Sequence, residues 1–245
     1  MGVSTTWIRS RAPRPAARLR LICLPHAGGA ANFFQDWHAR IPDDIEVLAV
    51  QYPGRWERTG EPLLESMDEL AAAVAAEIRP LADRPIAVFG HSMGSIAAYE
   101  VTRRLAEWGI EPAHLFVSGR YPPSEQKTSS VVHLLDDDGL AEELIRLGGM
   151  PAELLADQDM RDYFLPIIRS DYRLIETYQW SPGPEPKAPM TILYGDSDAN
   201  IGAEQAERWR AHSAGEVTVR RFPGGHFYLV PQRDAVLEYV VATLS

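Results

Sequence analysis

The chain has 245 residues, 45% hydrophobic, 24% charged and 9% aromatic, a globular composition that excludes a disordered, collagen-like or low-complexity protein. Its 24 Lys and Arg against 34 Asp and Glu give a net charge of −10, which disfavours non-specific nucleic-acid binding, because neutralising phosphates needs clustered cations. The single cysteine, Cys23, excludes an internal disulfide and every cysteine-based zinc site, and it is compatible with a cytoplasmic location.

Residues 1–18 read as a flexible leader. Arg9, Arg11, Arg14 and Arg18 stand there among Pro and Ala, and the apolar run that follows, residues 21–24, is far too short for a signal-peptide core. No stretch approaches the roughly eighteen apolar residues of a membrane span. From residue 19 to 245 the pattern is that of one domain in which buried strands alternate with helices. Residues 19–24 and 47–52 read as strands, each stopped by proline. Ser66-Met67-Asp68-Glu69 reads as a capping box, opening a helix with Leu70, Val74, Ile78 and Leu81 on one stripe. Residues 85–89 read as a strand, 93–108 as a helix ending before Gly109, and 115–117, 190–194 and 217–222 as strands. A last helix is expected over residues 233–243. Continuous apolar strands separated by helices imply an α/β fold, with a mostly parallel central sheet flanked by helices.

Residues 120–187 break that rhythm. They hold several helix-like segments between Pro122-Pro123 and a Pro-rich run at 182–186. This stretch reads as a helical lid insertion over the C-terminal edge of the sheet, where open α/β sheets place their ligand crevice. Its Leu, Met and aromatic residues read mainly as the lid's own core. Asp136-Asp137-Asp138 reads as an acidic helix start rather than a metal site.

Gly90-His91-Ser92-Met93-Gly94 matches the nucleophile elbow G-x-S-x-G. The serine sits on a strained strand-to-helix turn whose neighbours two positions away must be small. The pattern alone is common, but here a strand precedes it and a helix follows, as the α/β-hydrolase fold requires. Ser92 is therefore the expected nucleophile. A serine hydroxyl needs a base, and the base needs an orienting carboxylate, in the chain order Ser, acid, His. His226, in the Gly-Gly loop after the strand 217–222, is the expected base. His212, at a polar helix end, reads as a solvated histidine. Asp198 and Asp196 are the candidate acids, with Asp198, past the turn, preferred. The oxyanion hole is expected from the amides of Met93 and of Ala27, the latter in the glycine-bearing loop after the first long strand. His26 reads as a loop-fixing hydrogen-bonding residue, and His91 as packed beneath the elbow. No histidine spacing suggests a metal, and no phosphate-binding glycine pattern follows any strand, so no cofactor is expected.

Pro25-His26-Ala27-Gly28-Gly29, Gln51-Tyr52-Pro53-Gly54-Arg55, the elbow and Gly225-His226-Phe227 together resemble the type II thioesterases that accompany modular polyketide synthases and nonribosomal peptide synthetases. The resemblance is closest over residues 21–60, 85–105 and 190–230. It implies a triad of Ser92, Asp198 and His226 with Ala27 and Met93 as oxyanion donors. It further implies substrates held as thioesters on the phosphopantetheine arm of carrier proteins, and an editing role in antibiotic biosynthesis. Transient acyl or peptidyl carrier partners, a monomer, and no nucleic acid or membrane partner are expected. Two departures stand out: Ser95 where similar sequences often have Ala, and Ala199-Asn200 where a Pro is common. The candidate cations for docking an acidic carrier are Arg55, Arg58, Arg103, Arg104, Arg120 and Lys127. The competing readings are a medium-chain fatty acyl thioesterase, an oxyester hydrolase and a binding protein on a dead hydrolase fold.

Overall fold

The computed structural model describes residues 5–125 and 131–245. Its centre is a seven-stranded sheet in the order β1-β3-β2-β4-β5-β6-β7. The strands are β1 (Ile8–Arg9), β2 (Leu19–Leu24), β3 (Ile45–Val50), β4 (Ile86–His91), β5 (His114–Ser118), β6 (Met190–Gly195) and β7 (Val217–Phe222). All neighbours run parallel except β1, which pairs antiparallel with β3 through Ile8↔Val50 and Arg9↔Ala49.

Strands β2 to β6 are buried along their whole length, which is why they read as apolar runs without polar alternation. The side chains still alternate between faces. Ile22, Leu24, Leu48 and Val88 pack with α1 (Met67–Ile78) and α2 (Met93–Glu107), while Leu21, Cys23, Val47 and Phe89 pack with α7 (Arg233–Leu244) and with Phe34 and Trp37. Edge strand β7 instead exposes Thr218, Arg220 and Arg221. At the start of α1 only half of the expected box forms. Ser66 Oγ accepts the Glu69 N–H at 3.1 Å, but the Glu69 carboxylate accepts from Glu65 N–H rather than from Ser66.

Between β5 and β6 stand α3 (Asp137–Leu147), α4 (Ala152–Leu155) and α5 (Gln158–Thr177), with a small core of their own around Leu140, Leu144, Leu155 and Ile168. Asp136 caps α3 by accepting the Gly139 N–H at 2.8 Å, and Asp137 and Asp138 pair with Arg169 and Arg161 of α5. A short helix, α6 (Ala203–Arg208), follows β6.

The described part of the expected leader differs from expectation. Residues 5–18 lie on the fold, with Ile8 fully buried. Arg11 and Arg18 are exposed, but Arg14 is half-buried and serves backbone acceptors. The Arg14 guanidinium donates to the carbonyls of His38, Ile41, Pro42 and Ile45, and the Arg14 N–H donates to the buried Glu46 carboxylate. Residues 1–4 lie outside the described residues. Replacing Arg14 with Ala should lower unfolding free energy by about 2 kcal/mol, because carbonyls bonded to a charged donor lose it. Urea denaturation checks this, with activity per folded molecule expected to stay unchanged.

Candidate active site

Ser92 joins β4 to α2 with φ 55° and ψ −118°, a strained backbone that costs roughly 1–3 kcal/mol. The flanking glycines are steric necessities. A β-carbon at Gly90 would collide with the Gly94 carbonyl, and one at Gly94 with the carbonyls of Leu24 and Pro25. The absence of a side chain at Gly94 thus brings the start of α2 against the loop that follows β2. The turn is held from below. Ser92 N–H donates to Ser118 O at 2.7 Å. Ser95 Oγ accepts the Ser118 N–H at 2.9 Å and faces the carbonyls of Gly90 and Ser118 at 2.9 and 2.8 Å. The hydroxyl at Ser95, one of the two departures noted in the sequence, therefore knits the ends of β4 and β5 together.

His226 lies in the loop between β7 and α7. Its Nε2 is 2.9 Å from Ser92 Oγ and its Nδ1 is 2.9 Å from Asp198 Oδ2. These partners assign the tautomer: Nδ1–H donates to the carboxylate and Nε2 accepts the hydrogen bond of the Ser92 hydroxyl. The Asp198 side chain is fully buried, and its other oxygen accepts the Asn200 N–H at 2.9 Å. Asp196 goes elsewhere. It accepts from Gly224 N–H and Ser197 Oγ, both at 3.0 Å, and these bonds hold its carboxyl below the ordinary value. It fastens the end of β6 to the loop that carries His226.

A second imidazole lies beneath the first. The His91 ring is 5.1 Å from that of His226, and its Nδ1 is 2.9 Å from Ser118 Oγ, which in turn is 2.7 Å from Tyr228 OH. Burial, and then the neighbouring His226 and His26, push the His91 pKa well below the ordinary 6.5. His26 packs edge-on against Phe33 and Phe227. Its buried Nδ1 has no hydrogen-bond partner among the described residues, so the expected loop-fixing hydrogen bond is not formed there and the ring holds by packing. Burial lowers its pKa to about 3.

The loop is fixed instead from Gln51-Tyr52-Pro53-Gly54-Arg55. Gln51 Oε1 accepts the Ala31 N–H at 2.9 Å, Tyr52 OH donates to Pro25 O at 3.2 Å, and Arg55 Nη1 donates to Gly29 O at 3.0 Å. Arg55 also makes a two-pronged pair with Asp171 of α5, at 2.6 and 2.8 Å, and Asp171 accepts the Gly28 N–H at 2.7 Å. Ala27 and Met93 flank Ser92 and His226 in one cavity, and neither amide finds an acceptor among the described residues.

Two cavities meet at Ser92 and His226. One, about 50 Å³, is bounded by the apolar Leu144, Leu147, Met150, Ile168 and Phe227. The other, about 180 Å³, is bounded by Arg120, Glu143, Arg146, Tyr172 and Glu176 among others. Of the Leu, Met and aromatic residues of this stretch, Leu147 and Met150, with Leu144 and Ile168 from its small core, reach the site, whereas Leu154 is exposed and Leu155 stays within that core.

Several expectations are corrected. Arg55 and Arg58 are buried, at 3% and 5% exposure, and are not surface cations. Arg103 and Arg104 pair with Glu100 and Asp68, while Arg120 lines the polar cavity. Lys127 lies outside the described residues. His212 is buried, not solvated, with Nε2 2.8 Å from Ser124 Oγ. Among the described residues no cluster of three potential metal ligands forms, and no helix is long and apolar enough to cross a membrane. Sequence reasoning missed Asp171. Its signal was a carboxylate inside an otherwise apolar stripe, with Ile167, Ile168, Leu174 and Ile175 three and four positions away.

A sequence profile of the Thioesterase domain family matches residues 19–244. The chain belongs to the thioesterase family. This thioesterase is 41% identical over 230 residues to the probable cadicidin biosynthesis thioesterase of Streptomyces griseus, matching 94% of its own length and 63% of that relative's. It is 41% identical over 231 residues to thioesterase PikA5 of Streptomyces venezuelae, matching 94% of this chain and 82% of that one. Among solved structures, the type II thioesterase BorB from the borrelidin biosynthetic cluster superposes with a TM-score of 0.93 at 43% identity, covering 100% of both chains.

The neutral His91 makes stability depend on pH. Below pH 6.5 the unfolded imidazole takes a proton that the folded one refuses, so this contribution is present above that pH and lost on acidification. It amounts to about 1.4 kcal/mol per pH unit while the folded ring stays neutral. Thermal denaturation from pH 7.5 to 5 should show a shallower decline for His91→Asn than for the unmodified protein. Parallel curves would count against it.

Proposed function

We propose that this protein is an editing, type II thioesterase that hydrolyses acyl groups from the phosphopantetheine arm of carrier proteins in polyketide or nonribosomal peptide assembly lines. The observation that carries the reading is the continuous relay Ser92 Oγ, His226, Asp198, with both links at 2.9 Å, in a chain that aligns over its full length with a type II thioesterase.

In this mechanism Ser92 is the nucleophile, His226 the general base and Asp198 its orienting carboxylate. His226 takes the Ser92 proton as Oγ attacks the thioester carbonyl, and the amides of Ala27 and Met93 hold the oxyanion. Such a donor contributes about 3 kcal/mol of transition-state stabilisation. The C–S bond then breaks. The pantetheine sulfur leaves as a thiolate, far more readily than an alkoxide would, and then takes the proton held by His226, which returns the imidazole to its neutral form. Water, deprotonated by the neutral His226, attacks the acyl-serine, and His226 returns that proton to Ser92 Oγ as the C–O bond to the serine breaks and the acid is released. No cofactor enters, because the arm belongs to the substrate. The enzyme acts in the cytoplasm as a monomer that visits carriers transiently.

The two cavities suit the two ends of this substrate. The apolar one takes the acyl group, and its roughly 50 Å³ favours short chains over medium ones. The polar one offers hydrogen-bonding partners to an arm that carries two amides.

The test is to load acetyl, propionyl and longer acyl groups on a phosphopantetheinylated carrier protein and follow their loss by mass. Fast release is expected, weaker turnover of matched oxyesters, and a loss of about 10³-fold or more in Ser92→Ala. Good oxyester turnover with indifference to the carrier would instead identify an oxyester hydrolase. Leu144→Ala should shift the kcat/KM ratio toward longer acyl chains by about 10-fold, the scale of one or two methylenes in an apolar pocket, measured with the same carrier series.

A further inference from the structure

We propose that Asp171, on lid helix α5, is a positioning residue for the oxyanion donor at Ala27, acting through the Gly28 amide; this rests on the assignment of Ala27 made above. Ala27 lies between two peptide planes. The first joins the His26 carbonyl to the Ala27 N–H, which point in opposite directions across a trans peptide. The His26 carbonyl accepts the Gly29 N–H at 2.9 Å, so the Ala27 N–H is turned out of the loop's own tight turn. The second plane joins the Ala27 carbonyl to the Gly28 N–H, which donates to Asp171 Oδ2 at 2.7 Å. With both planes pinned, the dihedral angles of Ala27 are fixed.

The carboxylate that pins the second plane is itself immobile. Oδ2 also receives Arg55 Nη1 at 2.6 Å, and Oδ1 receives Arg55 Nη2 at 2.8 Å. Arg55 Nη1 in addition donates to Gly29 O, so the pair grips the loop on both sides of Gly28. The approach is close. Gly28 has φ 76°, and a β-carbon there would overlap Ile168, one turn before Asp171 on α5. A helix that needed only to pack would carry an apolar residue at 171, among Ile167, Ile168, Leu174 and Ile175. Burying a carboxylate there is costly unless it is bonded, and the bond that distinguishes it is to the loop beside the reacting carbonyl.

The test uses two variants of the full chain. Asp171→Asn removes the charge while keeping the shape. Arg55→Met/Asp171→Leu replaces both partners by apolar residues, a change that commonly preserves folding, yet leaves the Gly28 N–H without its acceptor. For each, kcat and KM are measured on an acyl-pantetheine thioester, per active site titrated with a fluorophosphonate. The inhibition constant is measured for a trifluoromethyl ketone analogue that forms a tetrahedral alkoxide on the serine. The expected result is a kcat loss of about 10- to 100-fold, below that of losing an oxyanion donor outright. KM should stay within about twofold, and the ketone should weaken by the same factor as kcat/KM. A lower melting temperature with unchanged kcat per titrated site would show a merely structural role and overturn the proposal, as would a rise in KM alone. Failure of the unmodified protein to hydrolyse the thioester would instead bring down the thioesterase mechanism itself, and the proposal with it.

Discussion

The pair between Arg55 and Asp171 is the interaction on which the site depends. Both side chains are buried, at 4% and 3% exposure, so each charge would be costly alone. Together they join three segments that are distant in sequence: the turn after β3, the loop after β2 and the lid helix α5. A lysine could not substitute. The contact needs a planar fork for two carboxylate oxygens and a further donor direction for the Gly29 carbonyl. The co-occurrence of the His-Ala-Gly-Gly and Gln-Tyr-Pro-Gly-Arg segments thus has a mechanical basis, since the second is a bracket for the first.

The elbow follows the same logic of local cost met by surrounding structure. Ser92 holds an unfavourable backbone because the hydrogen bonds below it, from Ser95 and Ser118, leave the turn no room to relax. The strain lifts Oγ clear of the sheet toward His226. Beneath, His91, Ser118 and Tyr228 form a buried polar chain. Because burial keeps His91 uncharged, it places no positive charge against the His226 imidazole, which stands 2.9 Å from Ser92 Oγ. Asp196 and Asp198 divide the work after β6. One fastens the loop, the other holds the His226 ring through its Nδ1.

Much of this was legible in the residues, and the gaps have physical causes. The long buried strands showed themselves as apolar runs, and Ser92, His226 and Asp198 followed from their places at strand ends. Strand β4 ran on past Phe89 because Gly90 and His91 still pair with Val117 and Ser118. The two-residue β1 and the six-residue α6 lack the length to establish a period. Arg14 and Arg55 read as solvated because a guanidinium's partners are backbone carbonyls and distant carboxylates, which no local pattern shows. His212 was misread for a similar reason: its polar neighbourhood in sequence is covered in space by Trp180 and Trp209. Asp171 did leave a trace, a charge in an apolar stripe, but the amide it serves is 143 positions away.

The borders of the sheet have a consequence of their own. On one side the outermost strand is a two-residue antiparallel strap, and on the other β7 turns Arg220 and Arg221 outward, with Arg220 lying over the rings of Phe222 and Tyr239. Among the described residues neither border offers a long apolar row of free backbone groups to another chain. Two copies that collide at the β7 edge would bring like charges at Arg220 and Arg221 together, which disfavours a shared ladder and the aggregation to which exposed strands are prone.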